Sequence, residues 1–128
     1  MAFTTVGFNL IAGLLIADGT TPFDGTNCYL GVGDDNTAFS ASQTDLNPGV
    51  AGNKLRVLVN GSPVRTNNAI VFIASFTTAQ ANWTWQENGI FNAASGTTSM
   101  LTRKVENLGT KTSASTAVFT KTLTISQT

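Results

Sequence analysis

The chain contains no histidine and only one cysteine, Cys28. The absence of histidine removes the side chain that most often acts as a general base or a metal ligand in proteins. A single cysteine excludes an intrachain disulfide and gives no sign of an oxidising compartment. Because Tyr29 and Leu30 follow it, we expect Cys28 to be a buried strand residue rather than a nucleophile. Composition alone therefore excludes serine or cysteine catalysis that relies on histidine.

Charged residues are also scarce, at 11% of the chain against roughly 25% in ordinary soluble domains. Threonine, serine, asparagine and glycine supply the polarity instead. This composition is common in β-rich proteins whose surfaces are largely covered by neighbouring molecules. It favours an assembly protein, and the alternative is a soluble β-domain with a threonine-rich exposed face.

The few charges are unevenly distributed along a chain of zero net charge. Residues 1–53 carry −5 and contain no lysine or arginine, whereas residues 54–128 carry +5. Two explanations are open: complementary contacts between copies of the chain, or halves that interleave in the fold so that the charges mix. Because a neutral chain lacks the broad basic surface that binding to phosphates needs, we expect no nucleic-acid partner.

The sequence has no long apolar run. Its most apolar stretch, residues 8–19, is far shorter than the ~20 residues of a membrane span. No basic residue precedes this stretch, as one would in a signal peptide. We therefore expect no membrane partner and no export from the cytoplasm.

Apolar residues near the start of the chain recur with helical spacing. They predict an α-helix over residues 6–17, which Thr4 or Thr5 can cap and Asp18-Gly19 can end. Residues 1–5 then form a short N-terminal arm, which we expect to fray or to reach a neighbouring molecule. The apolar stripe consists of Val6, Leu10, Ile11, Leu14 and Leu15.

From residue 28 to residue 127, strand-like segments alternate with clusters of turn residues. About six segments have the alternation or the β-branched composition of strands. The dipeptide Asn60-Gly61 predicts a hairpin turn, because both residue types tolerate positive φ. One helix followed by successive strands predicts a mainly β fold: an antiparallel β-sandwich with one N-terminal α-helix, in a single domain over residues 1–128.

The remaining candidates for chemistry are acidic residues, and their spacing does not join them into a site. A paired-carboxylate hydrolase needs two acids that converge on a cleft, and nothing in the sequence brings Glu87 to another acid. The run Asp34-Asp35-Asn36 lacks the ligand spacing of a calcium loop and is typical of a polar turn. We predict that the protein is not an enzyme and uses no metal or cofactor.

The segment WTWQENGIFNAASG combines two tryptophans with a glutamate. Trp83 and Trp85 share one face of a predicted strand, and we expect them to pack against the helix stripe. Glu87 is predicted to hydrogen bond to turn amides or to one of the bases Arg103 and Lys104. The predicted core comprises Trp83, Trp85, Ile90, Phe91, Phe72, Phe76 and Phe119.

Three blocks follow one another in the sequence: YLGVGDDNTAFSASQTDL, WTWQENGIFNAASGTTSMLTRKV and LGTKTSASTAVFTKTLTIS. In these blocks and in their order, the sequence resembles small structural proteins of tailed bacteriophages. The shared layout is an apolar helix, a GVGD strand end, a polar excursion, a tryptophan strand with an acid inside, and a threonine-rich last strand. The N-terminal domain of phage tail-collar fibre proteins is similar in layout. The resemblance covers nearly the whole chain and implies a virion structural protein without catalytic residues.

Two positions in the virion are consistent with this resemblance. A capsid decoration (cement) protein binds the major capsid protein on the outer shell and bridges neighbouring capsomers. A tail- or baseplate-associated adaptor or fibre-attachment protein binds tail proteins instead. Because a fibre needs a shaft and the sequence stops at Thr128 directly after its last strand, we favour decoration. The protein is then made in the bacterial host cytoplasm and is located on the capsid exterior.

Self-association is a further expectation, with a trimer at a three-fold axis as one arrangement. We expect contacts with other molecules to involve the N-terminal arm, the acidic turn and the one adjacent pair of bases, whose side chains should point to opposite faces of their strand. These residues are Met1, Ala2, Phe3, Asp34, Asp35, Arg103 and Lys104.

Overall fold

The computed structural model describes residues 2–47 and 53–127. Within them the chain forms one α-helix and eight β-strands. In chain order these are β1 (Ala2–Phe3), α1 (Thr5–Leu15), β2 (Tyr29–Gly33), β3 (Lys54–Leu58), β4 (Val64–Thr66), β5 (Ala69–Phe76), β6 (Thr84–Phe91), β7 (Met100–Thr110) and β8 (Ala117–Thr124).

The strands form two sheets in which the paired neighbours are antiparallel. The larger sheet has five strands in the order β1-β7-β6-β2-β3, and the smaller has three in the order β4-β5-β8. The main core lies between them, because alternate residues of each strand point to the same side. Leu30 and Val32 of the larger sheet pack in one cluster with Phe72 and Leu123 of the smaller sheet. The predicted β-sandwich with one N-terminal helix is confirmed.

Most of the predicted core residues are buried, but in two separate clusters. The cluster between the sheets contains Phe72, Phe76, Trp85 and Ile90. Phe91 belongs to a second cluster, with Leu46 and Met100 as its other buried members. Trp83 and Phe119 are only partly buried and pack against the first cluster.

Trp85 does not pack as predicted. Its ring lies 4.9 Å from that of Phe76 and 5.9 Å from that of Phe119, so its aromatic partners belong to the opposite sheet. The helix instead packs on β7. Trp85 Nε1 donates a hydrogen bond of 2.9 Å to the Ala81 carbonyl, which satisfies the polar atom of the buried ring.

The helix begins and ends slightly earlier than the predicted residues 6–17. Thr4 is its N-cap, and the side-chain oxygen of Thr4 accepts a 2.8 Å hydrogen bond from the Gly7 amide. The same hydroxyl donates to the Met100 carbonyl at 2.7 Å, which ties the start of α1 to β7.

The N-terminal arm is not free in this structure. Ala2 pairs with Arg103 and Phe3 with Thr102, so the arm adds an edge strand to the five-stranded sheet. The pairing satisfies outward backbone groups of the eleven-residue β7 around Thr102 and Arg103. Met1, which was expected to take part in contacts with a neighbour, lies outside the described residues.

The hairpin predicted at Asn60-Gly61 is wrong. Gly61 does adopt a positive φ of 68°, but the strands on either side of this turn are not paired. β3 pairs with β2 in the larger sheet, and β4 pairs with β5 in the smaller one. The turn therefore carries the chain from one sheet to the other, which local turn chemistry does not distinguish from a hairpin.

Residues 34–47, the described part of the polar excursion after β2, lie over the outer face of the five-stranded sheet, and two glycines make room for this packing. A Cβ at Gly31 would meet the Phe91 ring and the Leu46 side chain, and a Cβ at Gly33 would overlap the Glu87 carboxylate. The G-V-G spacing places both glycines on the same face of β2. The motif therefore allows the second cluster and Glu87 to pack directly on the sheet.

Candidate interaction surface

Glu87 and Arg103 form an ion pair beneath the polar excursion. Arg103 Nε donates to Glu87 Oε2 at 2.7 Å, and neither side chain is exposed. Arg103 Nη1 also donates to the Thr37 carbonyl at 3.0 Å, and the Asn47 amide donates to Glu87 Oε2 at 3.2 Å. The pair thus holds the excursion against the sheet, and Glu87 contacts both kinds of partner that we predicted for it.

Burial raises the pKa of Glu87 to about 7, because the loss of hydration outweighs the hydrogen bond and the attraction from Arg103. A carboxyl group with such a pKa is a feature that active sites share with structural ion pairs. Here the side chain is fully enclosed, so a substrate does not reach it in this structure. The contacts of Glu87 are those of a structural group that anchors a long loop.

Arg103 is therefore not the surface residue that we expected. Its side chain is fully buried, and the carboxylate of Glu87 compensates its charge there. Lys104 points to the other side of the strand, has a 42% exposed side chain, and lies 3.3 Å from Glu106 Oε2. Arg103 and Lys104 thus point to opposite faces of the strand, and of the two only Lys104 is accessible to another molecule.

The two acids of the turn serve the loop itself. Asp35 Oδ1 accepts a hydrogen bond of 2.6 Å from the Thr37 amide and lies 3.9 Å from Arg103 Nη2. Hydrogen bonds from Thr37 are the main reason that the pKa of Asp35 is lowered. Asp34 Oδ2 accepts from the Asn53 side chain at 2.8 Å. Ala2 and Phe3 are half-buried in β1.

Ion pairs join the acidic and basic halves of the chain. Asp45 accepts from Arg56 Nη2 at 2.8 Å and from Lys54 Nζ at 2.6 Å. Burial opposes the charge of Asp45, but these hydrogen bonds prevail and lower its pKa. The Arg56 guanidinium also lies 3.7 Å from the centre of the Phe91 ring. Of the two explanations for the charge asymmetry, these contacts favour halves that interleave within one molecule.

The clearest candidate for binding another molecule is an apolar groove beside α1, with a volume of about 550 Å³. Phe8 and Leu15 are 60% and 82% exposed, and the neighbouring Ile16 is 76% exposed. No charged residue of the described part of the chain lines the groove. The residues that line it are Phe3, Phe8, Ile11, Leu14, Leu15, Phe23, Ile70, Phe72, Leu101, Leu123 and Ile125.

Large apolar side chains that cluster on a surface usually mark a protein–protein or membrane contact, because removing apolar surface from water is favourable. Fully covering one such side chain contributes roughly 1.5–3 kcal/mol. None of the helices among residues 2–47 and 53–127 has the length and hydrophobicity of a membrane span. The lining offers no group that would bind an anion or a metal ion, so its chemistry suits an apolar protein surface.

Our sequence-based interface missed this groove, apart from Phe3. A signal was present, because residues 8–16 are apolar on nearly every side of the helix rather than along one stripe. Such a helix must be covered all round. Only one side of α1 faces β7 in this structure.

The sequence matches no protein-family model and shows no significant similarity to a curated protein.

Proposed function

We propose that this protein is a structural component of a tailed-bacteriophage virion, and specifically a capsid decoration protein. It binds the major capsid protein on the outer shell and stabilises the shell by bridging neighbouring capsomers. The observation that carries the proposal is the exposed apolar groove beside α1. The resemblance of the sequence blocks to small phage structural proteins points to the virion as the place where this surface is covered.

The groove supports a binding role in a lattice. Phe8, Leu15 and Ile16 expose apolar surface that a partner can cover. On a shell with many equivalent sites, modest affinity suffices when one protein contacts two capsomers, because the second contact has a high effective concentration. Binding stabilises the assembled state because free subunits lack the complete site.

The location in the virion tests the proposal most directly. A decoration protein is expected on the order of hundreds of copies per particle, spread over the head, because each repeated lattice site binds one molecule or oligomer. Quantitative gels of purified virions and immunogold imaging measure both properties. A few copies confined to the tail would contradict decoration and would favour the tail- or baseplate-associated adaptor.

A pair of single-residue variants tests the groove itself. Phe8→Ser removes an exposed apolar side chain from the groove, and we expect at least about tenfold weaker binding to undecorated heads. Val64→Ser is the matched control, since Val64 is 62% exposed in β4 and does not line the groove. Sedimentation of heads with added protein measures binding. Equal binding by the two variants would show that the groove is not the contact surface.

A further inference from the structure

One side of β8 is an open sheet edge. β8 pairs with β5 along its whole length, from Ala117 with Phe76 to Thr124 with Ala69. Among residues 2–47 and 53–127, no strand pairs with its other side. Alternate N–H and C=O groups of an antiparallel edge strand point outward and can pair with an added strand. The eight residues span roughly 26 Å and contain neither proline nor glycine to interrupt such pairing.

Charged side chains lie between this edge and β7. Lys121 points inward from β8, and Nζ donates to Asn88 Oδ1 at 2.5 Å and lies 3.7 Å from Glu106 Oε2. Lys104 Nζ approaches the same Glu106 oxygen at 3.3 Å, and Asn88 Nδ2 donates to it at 3.1 Å. Two lysines therefore share one carboxylate, and the cluster has one uncompensated positive charge.

The cluster borders a cavity of about 240 Å³. The side chain of Lys121 is only 8% exposed, and burial lowers its pKa despite the nearby Glu106. An additional carboxylate in the cavity would balance the charge that burial makes unfavourable. The residues that line the cavity are Lys104, Glu106, Leu108, Phe119, Thr120, Lys121 and Thr122.

A second copy of this chain does not supply that carboxylate from an edge strand. Pairing of β8 with another β8 would bring further inward lysines to a cluster that is already positive, and like charges across strands are destabilising. β3 and β4, the other edge strands with charged residues, carry Lys54, Arg56 and Arg65 but no acid. Charge complementarity therefore favours a segment of a different protein.

We propose that the open edge of β8 binds an extended acidic segment of another protein as an added strand. An Asp or Glu side chain of that segment enters the cavity between Lys104 and Lys121. Backbone hydrogen bonds supply most of the affinity, and the lysines select for the acid. The cavity that receives the acid shares no lining residue with the groove beside α1, so the proposal does not depend on the function proposed above.

The test uses synthetic peptides and the intact protein. The probe is a capped peptide of about seven residues that alternates threonine with valine and has glutamate as its central inward residue. Two matched peptides carry glutamine or lysine at that position. Amide hydrogen exchange measured by NMR is expected to show new protection in β8 with the glutamate peptide. Binding of the other two should be at least about tenfold weaker.

Variants of the protein check the role of the lysines. We expect Lys121→Gln to weaken binding of the glutamate peptide about tenfold and the more exposed Lys104→Gln about threefold. Lys54→Gln at the β3 edge is the matched control and should leave binding of the glutamate peptide unchanged. If Lys121→Gln does not fold, Lys104→Gln and the three peptides still decide the question.

Three outcomes would overturn the proposal. One is that the glutamate peptide gives no new protection in β8 even at millimolar concentration. Another is equal binding of the glutamate and glutamine peptides, which would remove the role of the acid. The third is protection at β1 or β3 instead of β8.

Discussion

At the scale of single residues, the ion pair of Glu87 and Arg103 is buried, and burial of each charge is costly. The same two side chains also anchor the loop of residues 34–47. Each charge compensates the other, and both also contact the backbone of the excursion. A buried ion pair contributes little net stability, but loss of one partner leaves an unpaired charge. The pair therefore acts mainly to hold the loop in one position.

The raised pKa of Glu87 predicts a specific dependence of stability on pH. The folded protein binds a proton at Glu87 between pH 4.5 and about 7, where the unfolded chain has released it. The contribution of this group to the free energy of unfolding therefore falls as pH rises through that window, by at most ~1.4 kcal/mol per pH unit. Glu87→Gln should remove this slope, as measured by urea unfolding at a series of pH values.

Glu106→Gln is the control for that experiment. Hydrogen bonds from Asn88 and Lys104 lower the pKa of Glu106 despite its partial burial. Its stabilising effect is therefore present above pH 4.5 and is lost only as pH falls below that value. An unchanged slope between pH 4.5 and 7 in Glu87→Gln would contradict the raised pKa of Glu87.

The aromatic contacts of Trp85 also lead to a prediction. Trp85→Ala should lower the free energy of unfolding by roughly 3–5 kcal/mol, because the ring fills the space between Phe76 and Phe119. Trp83→Ala, at a half-buried position, should cost less. Chemical denaturation monitored by circular dichroism measures both changes. A cost below about 1 kcal/mol for Trp85→Ala would mean that the ring is not a core element.

At the scale of elements, the helix depends on its junction with β7 as much as on its own sequence. The Thr4 hydroxyl accepts a hydrogen bond from the Gly7 amide in the first turn of α1 and donates one to the Met100 carbonyl of β7. Phe8, Leu14 and Leu15 of α1 line the groove, together with Ile11, which also packs against the main core. The helix therefore has a structural side, which is satisfied within the molecule, and a second side that is not.

Thr4→Ala tests the structural side. The change removes the helix cap and leaves the Met100 carbonyl without its partner, so we expect a loss of about 1–2 kcal/mol in the free energy of unfolding. Thr5→Ala is the matched control, because the Thr5 side chain is exposed, and it should change stability by less than about 0.5 kcal/mol. Equal losses in the two variants would argue that the cap is unimportant.

At the scale of the whole molecule, the proposed function predicts a property of the virion. Particles that lack this protein should release their DNA at a lower temperature, because the shell loses contacts that exist only in its assembled state. Fluorescence of a DNA-binding dye during heating measures release. Adding the purified protein back should restore the original release temperature, and Phe8→Ser should restore it less well. Unchanged release in its absence would contradict a cementing role.

Prediction from the sequence succeeded where local patterns dominate. Alternation along β5 and β8 and the helical spacing near the N-terminus indicated the elements, and their succession indicated the sandwich. It failed at Asn60-Gly61 and for the arm, because the pairing of a strand depends on edges that other parts of the chain offer. Arg103 was wrongly expected at the surface, because local sequence does not show that residues 34–47 fold over it.

By itself the sequence determined the class of fold, the absence of histidine chemistry and the need to cover an unusually apolar helix. These follow from residue types and from periods of two or 3.6 residues, which are local properties. Only the tertiary structure decided which charges are paired inside one molecule and which surfaces remain open. Among residues 2–47 and 53–127, these open surfaces include the groove beside α1 and the edge of β8. They depend on contacts between residues far apart in the chain, which no local pattern records.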